Sequence, residues 1–245
     1  MLKDNFYNSC SLGRWNKTVK SSEWHFDFNS KNKDYWEVCT FRGTDWDKLI
    51  KKFDSLCFET SWVKKNKSDS SDQANIEYAG RTANFDTSDS EAHNDLLHHN
   101  CEPSDTTFSR FPAGEEPQFK RIAEYLGLVD YDIWFQTQKS GQMFHLHIDL
   151  FGKKGRELLA QGNHKSIIRF MVALDDWKLG QTIQIGNSYW KWTAGQCVTW
   201  SWKDVPHGTA NFGWWDRPML QITGTTTERT YALLNSGKFE NIVQV

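Results

Sequence analysis

Short apolar or alternating runs dominate the second half of the chain, and none of them keeps a helical period for long. IWFQTQ (133–138), a break at Lys139 to Gln142 and a run ending at Asp149 in MFHLHID read as two strands about a turn. SIIRFMVALDDW, TIQIG, YWKWTAGQCVTWSW and RPMLQITGT follow, each punctuated by Gly, Asp, Asn or Pro. This pattern predicts a mainly β architecture over 131–235. The first 130 residues predict a mixed α/β extension. Alternating aromatics in SEWHFDF and YWEVCTF suggest two strands, and TDWDKLIKKFDSL reads as an amphipathic helix capped by Thr44, with Leu49, Ile50, Phe53 and Leu56 on one face. EEPQFKRIAEYLGL predicts a second helix, with acidic residues in its first turn, Pro117 near its start and Gly127 near its end. Its Phe119, Ile122, Ala123 and Leu126 form a stripe suited to the outside of the main sheet, and a short helix is expected at 154–160.

Between about 64 and 106 the chain turns polar, rich in Ser, Asp and Asn, and predicts a long loop or lid. That segment holds AHNDLLHHNC, whose His93, Asp95, His98, His99 and Cys101 are a rival metal-ligand cluster. A chain of 245 residues fits one domain with a full core. The formal net charge of -2 offers no global attraction for nucleic acid or an anionic membrane. No apolar run reaches the roughly 20 residues of a membrane span, and the first residues lack a secretory apolar core, so a cytoplasmic protein is expected. Cys10, Cys39, Cys57, Cys101 and Cys197 show no C-x-x-C spacing and read as reduced thiols.

The candidate chemistry lies in the β half. His147 and Asp149 are two apart, which places both on one side of an extended strand, and His207 in VPHGTANFG lies sixty residues further on. Two imidazoles and one carboxylate suit divalent iron, and leave three of its six octahedral positions for a bidentate keto acid and dioxygen. Arg217, ten residues after His207, supplies a planar cation for an anionic co-substrate.

Those four residues, in that order and among those strands, resemble the Fe(II)- and 2-oxoglutarate-dependent dioxygenases over Tyr131 to about Asn235. The resemblance implies a double-stranded β-helix core of eight strands with flanking helices. It implies iron held by His147, Asp149 and His207, and 2-oxoglutarate held through its distal carboxylate by Arg217. It also implies a reaction that consumes 2-oxoglutarate and dioxygen, releases succinate and carbon dioxide, and by default hydroxylates the primary substrate. Arg169 in SIIRFMVAL, PHGTANFG and RPMLQITG are similar to the aspartyl/asparaginyl β-hydroxylase-like branch, in which a second Arg on an early strand helps hold the co-substrate.

Several residues keep two readings. Arg169 either meets that anion or pairs with Asp175 or Asp176; Gln136 and Gln138 share a strand face and either contact the co-substrate or pair across strands. His145 is either a substrate residue or structural. Of the 13 tryptophans, Trp190, Trp192, Trp200 and Trp202 keep a strand period and read as packing, whereas Trp214 and Trp215 fall in a turn where a substrate can reach them. The primary substrate stays open among an amino-acid side chain, a small metabolite and a nucleobase. A cupin-like metalloenzyme that uses no keto acid, and a non-catalytic cupin-type binding module, are the alternative functions.

Overall fold

The computed structural model describes residues 33–61, 73–78, 81–86, 107–147, 149, 158, 160–163, 166–202 and 205–245. In chain order these form β1 (Trp36–Arg42), α1 (Trp46–Asp54), β2 (Phe58–Ser61), β3 (Gln73–Tyr78), β4 (Arg81–Asp86), β5 (Thr107–Pro112), α2 (Pro117–Tyr125) and β6 (Val129–Gln138). There follow β7 (Met143–His147), β8 (Ile167–Ala173), β9 (Gln181–Ile185), β10 (Ser188–Tyr189), β11 (Gln196–Thr199), β12 (His207–Asn211), β13 (Arg217–Thr225), α3 (Glu228–Ser236) and β14 (Ile242–Gln244).

The large sheet has the order β14-β1-β11-β8-β13-β6-β5-β2, and the small one β10-β9-β12-β7. From β6 to β13 the chain passes between them: β6, β8, β11 and β13 lie in the large sheet and β7, β9, β10 and β12 in the small one. This is the double-stranded β-helix, with β1, β14, β5 and β2 extending the large sheet on both sides. Because β8 and β13 carry apolar residues on both faces, the large sheet supports two cores. Outside it, Phe53 of α1 and Phe119 and Ile122 of α2 pack with Ile133, Phe135 and Phe170. Between the sheets, Ile183 and Ile185 of β9 meet Met171, Ala173, Val198, Met219 and the rings of Trp190, Trp192 and Trp200.

The local chemistry of the turns explains the element ends. Asp45, rather than Thr44, caps α1: its carboxylate accepts from Lys48 N at 3.0 Å, while the Thr44 hydroxyl is drawn away to Val245 O. In α2 the helix begins at Pro117, so Glu115 and Glu116 precede it and its first turn holds no acid; the preset φ of proline fixes the start there. Gly195 has φ +87°, and a Cβ on it would lie 2.0 Å from Phe41 O, whose own N–H donates to Gly195 O. Only glycine lets β1 and the turn before β11 approach so closely.

Two differences from the sequence reading follow. β6 starts at Val129, four residues earlier than expected, since it pairs with β13 over almost its full length. Within the polar stretch, β3 and β4 form a two-stranded antiparallel ribbon, so part of 64–106 is a hairpin. The expected strand at 22–28, most of the helix at 154–160, and the cluster His93, Asp95, His98, His99 and Cys101 lie outside the described residues. Cys39 and Cys197 are buried free thiols, and no helix among the described residues is long and apolar enough to cross a membrane.

Candidate metal and anion site

The space between the sheets has a different chemistry at each end. At one end sit Asp149, just past β7, and His207, the first residue of β12. Both are buried, and His207 Nε2 is 3.5 Å from Asp149 Oδ2. The other imidazole nitrogen, Nδ1, is 3.3 Å from Val205 O, so both ring nitrogens face an oxygen acceptor, and a metal ion between Nε2 and the carboxylate would leave the proton on Nδ1. Burial lowers the pKa of His207, the charge of Asp149 opposes that shift, and the nearby Arg169 adds to it. The net result favours the neutral ring, which is the ligating form.

Asp149 is held from its other side. Arg169, on β8, forms an ion pair through Nη1 with Asp149 Oδ1, and its Nε donates to Thr223 Oγ1 at 3.1 Å on β13. The register pairs Arg169 with Thr223, so the brace is built into the sheet. Asp175 and Asp176 are occupied elsewhere, by Lys178 and by Ala194 N. Arg169 therefore serves the carboxylate of Asp149 and not those two acids.

His147 ends β7, and its Cα partner on β12 is His207. The β7–β12 ladder is irregular: His207 pairs with His147 but Thr209 pairs with Phe144, which leaves one extra residue in β7. The side chains of His145 and His147 lie outside the described ones. Among the described residues no three His, Cys, Asp or Glu side chains form a metal-binding group. The two donors that are described, an imidazole nitrogen and a carboxylate oxygen, buried and facing each other, fit a divalent transition metal.

The opposite end is built around Arg217, the first residue of β13. Asn211, fully buried at the end of β12, donates through Nδ2 to Gln138 O and to Trp215 O, both at 2.8 Å, and accepts from Gly213 N. Gln181 donates through Nε2 to Trp215 O at 3.1 Å and Asp216 O at 3.0 Å. These two amides fix the 212–216 turn, and with it the direction from which Arg217 enters. Its cross-strand partner is Gln138, whose Oε1 accepts from Arg217 Nη2. Arg217 Nε and Nη1 are buried and have no hydrogen-bond partner, and among the described residues no carboxylate pairs with the cation. Burial alone pulls its pKa down to about 9, far below the usual guanidinium range. Gln136, expected beside Gln138, instead donates to Gln221 Oε1 at 2.8 Å.

Tryptophans pack between the two ends. The Trp200 ring is 4.7 Å from that of His207, Trp190 and Trp192 are 5.4 Å apart, and Arg217 Cζ is 6.0 Å from Trp192. Trp190 Nε1 and Trp200 Nε1 are buried without a partner. Trp214 and Trp215 lie outside, with 82% and 49% of their surface exposed. Sequence reasoning missed Asn211, Gln181 and Thr223; an Asn two residues before a Gly, closing a strand, was the available signal for the first.

Arg169 and Arg217 do not converge. Thr223, the register partner of Arg169, is six residues beyond Arg217 on one strand, about 20 Å along it. The two guanidiniums thus serve opposite ends of the chamber.

No protein-family profile matches the sequence, and no curated protein matches it. Solved structures do. A viral collagen prolyl hydroxylase from Paramecium Bursaria Chlorella virus-1, in complex with 2OG, is 9% identical, with 80% of this chain and 98% of that one covered and a TM-score of 0.39. A prolyl-4-hydroxylase from Pseudomonas putida is 16% identical, covering 49% and 72% with a TM-score of 0.37. A protein assigned as a sugar phosphate isomerase from Acidithiobacillus ferrooxidans is 15% identical, covering 50% of this chain but only 62% of its own, with a TM-score of 0.31. At these identities and scores a functional reading has to stand on the side chains.

Proposed function

We propose that the protein is an Fe(II)- and 2-oxoglutarate-dependent dioxygenase that hydroxylates a primary substrate. The observation that carries this reading is Arg217: a buried guanidinium with two unpartnered N–H groups and no counter-charge among the described residues, in the same chamber as the His207 and Asp149 pair. A buried cation is tolerated at such cost where an anion completes it. A carboxylate matches the planar fork in charge and shape.

His147, Asp149 and His207 would hold the iron, which together with 2-oxoglutarate and dioxygen supplies the oxidising chemistry. The remaining work belongs to the chain. Val205 O would accept the His207 proton at Nδ1 once Nε2 binds the metal. Arg169 occupies one oxygen of Asp149 and leaves the other towards His207. Arg217 and Gln138 anchor the distal carboxylate of the keto acid, and the tryptophan walls keep water from the space between. In this reading Arg169 and Gln136 support protein groups instead of the co-substrate. Amino-acid side chains, small metabolites and nucleobases all remain substrate classes for the assay.

The experiment is conversion of 2-oxoglutarate to succinate by the purified chain with Fe(II) and oxygen, with iron omitted as control. Iron-dependent succinate release supports the proposal. A protein that binds Fe(II) yet neither binds nor consumes 2-oxoglutarate is instead a metal-binding cupin of another kind.

A further inference from the structure

Four buried N–H donor nitrogens lie in the space between the sheets. Arg217 contributes Nε and Nη1, Trp190 its Nε1, and Trp200 its Nε1; each is buried and none has a partner. Both indoles are nearly sealed, with 2% and 3% of their surface exposed. A buried N–H without an acceptor is destabilising, and native structures seldom leave several in one place. Shape complementarity in an apolar core asks only for a ring, which phenylalanine provides without that cost.

Their positions follow the chamber from end to end. Trp200 lies against His207 at one end. Trp190 N donates to Ile183 O, and Ile183 pairs with Thr209, so Trp190 sits midway along β12, between His207 and Asn211. Trp192 adjoins both Trp190 and Arg217 at the far end. A ligand that satisfies this row needs acceptors at both ends and a narrow, flat body between aromatic walls.

We infer that the indole N–H groups of Trp190 and Trp200 are hydrogen-bond donors to the bound dicarboxylate, so that the co-substrate is held by two tryptophans as well as by Arg217. This rests on the dioxygenase reading above and adds to it the residues that recognise the anion away from its distal end. Trp200, beside His207, serves the acceptor oxygens at the metal end, and Trp190 those of the middle. The same row disfavours monocarboxylates, which would leave donors at one end unanswered.

The test is 2-oxoglutarate binding, measured by calorimetry on the full chain loaded anaerobically with Mn(II), for wild type, Trp190→Phe and Trp200→Phe. Phenylalanine keeps an aromatic ring and removes the N–H. Each variant should bind 2-oxoglutarate roughly tenfold more weakly or worse, as for loss of a hydrogen bond to a charged acceptor, with Mn(II) affinity unchanged. A wild-type control covers the case in which a variant folds poorly: with Zn(II) in place of Mn(II), two indole 1H–15N resonances should shift strongly on addition of 2-oxoglutarate. Binding within twofold of wild type in both variants overturns the inference, and so does an indole spectrum that 2-oxoglutarate leaves unchanged. Failure of the wild-type protein itself to bind 2-oxoglutarate is a different result, and removes the dioxygenase reading.

Discussion

Replacing Arg217 by methionine should make the ligand-free protein more stable and at the same time unable to hold 2-oxoglutarate. The guanidinium is 5% exposed, and burial without a counter-charge draws its pKa down to about 9 from the usual guanidinium range. A drop of that size corresponds to roughly 5 kcal/mol of penalty on the charged form. Relaxation and water entry reduce it, and exchange of buried ionic groups for apolar ones commonly returns about 1–4 kcal/mol. Loss of the donor to Gln138 Oε1 takes back about 1 kcal/mol. The net gain is on the order of 1–3 kcal/mol, or a rise in Tm of roughly 2–10 °C for a chain of this length. The pH dependence has a definite sign. Below about 9 both folded and unfolded chains keep the proton, so the penalty is full and flat; above it the folded state binds fewer protons than the unfolded one, and wild-type stability recovers relative to the variant as pH rises. Scanning calorimetry in a buffer free of carboxylates, from pH about 7 to about 10 and with or without 2-oxoglutarate, reads both effects. At a hundredfold excess over Kd, 2-oxoglutarate should add about 2.7 kcal/mol to wild type and nothing to the variant. A variant that is less stable than wild type, and that still gains stability from 2-oxoglutarate, would refute the reasoning.

Other substitutions separate the roles of neighbouring groups. Asp149→Asn should act opposite to Arg217→Met: it removes the charge that faces half-buried Arg169 and should lower stability in denaturant unfolding by roughly 1–3 kcal/mol, besides abolishing Fe(II) binding. Arg169→Met should weaken Fe(II) or Co(II) binding about 10- to 100-fold in a direct titration, with Arg169→Lys less affected; equal metal affinity in all three proteins would disprove the bracing role. His147→Ala should remove tight metal binding while leaving the fold intact by circular dichroism, and retained affinity would take residue 147 out of the ligand set. Gly195→Ala, with its Cβ forced to 2.0 Å from Phe41 O, should lower stability by more than about 2 kcal/mol in the same unfolding assay.

The core architecture was readable because strand burial writes itself into the sequence. TIQI alternates and in the structure β9 alternates buried and half-buried; IIRFMVA is apolar throughout because β8 lies between two cores, with Arg169 alone breaking the run. What could not be read was set by partners distant in sequence. Arg169 had Asp175 and Asp176 close by, yet it pairs with Asp149, which a sheet crossing brings to it. Thr44 and Asp45 are both good caps, and the choice depended on Val245 drawing the threonine hydroxyl away. The period of Trp190 and Trp200 announced buried rings correctly, but periodicity carries no information on whether an indole N–H has an acceptor. The bulge in β7 was hidden for a related reason, since a single strand does not reveal the register of its partner.

β13 holds Arg217 at one end and Thr223, the support of Arg169, near the other. Pairing with β6 on one flank and β8 on the other denies it any freedom to slide. A shift by one residue would turn every side chain to the opposite face, so the strand can be re-registered only in pairs, in steps of about 7 Å. The strand is therefore a yardstick with coarse graduations. Adapting the chamber to a longer or shorter acid means changing the side chains mounted on it, since the mounting points themselves cannot be moved by small amounts.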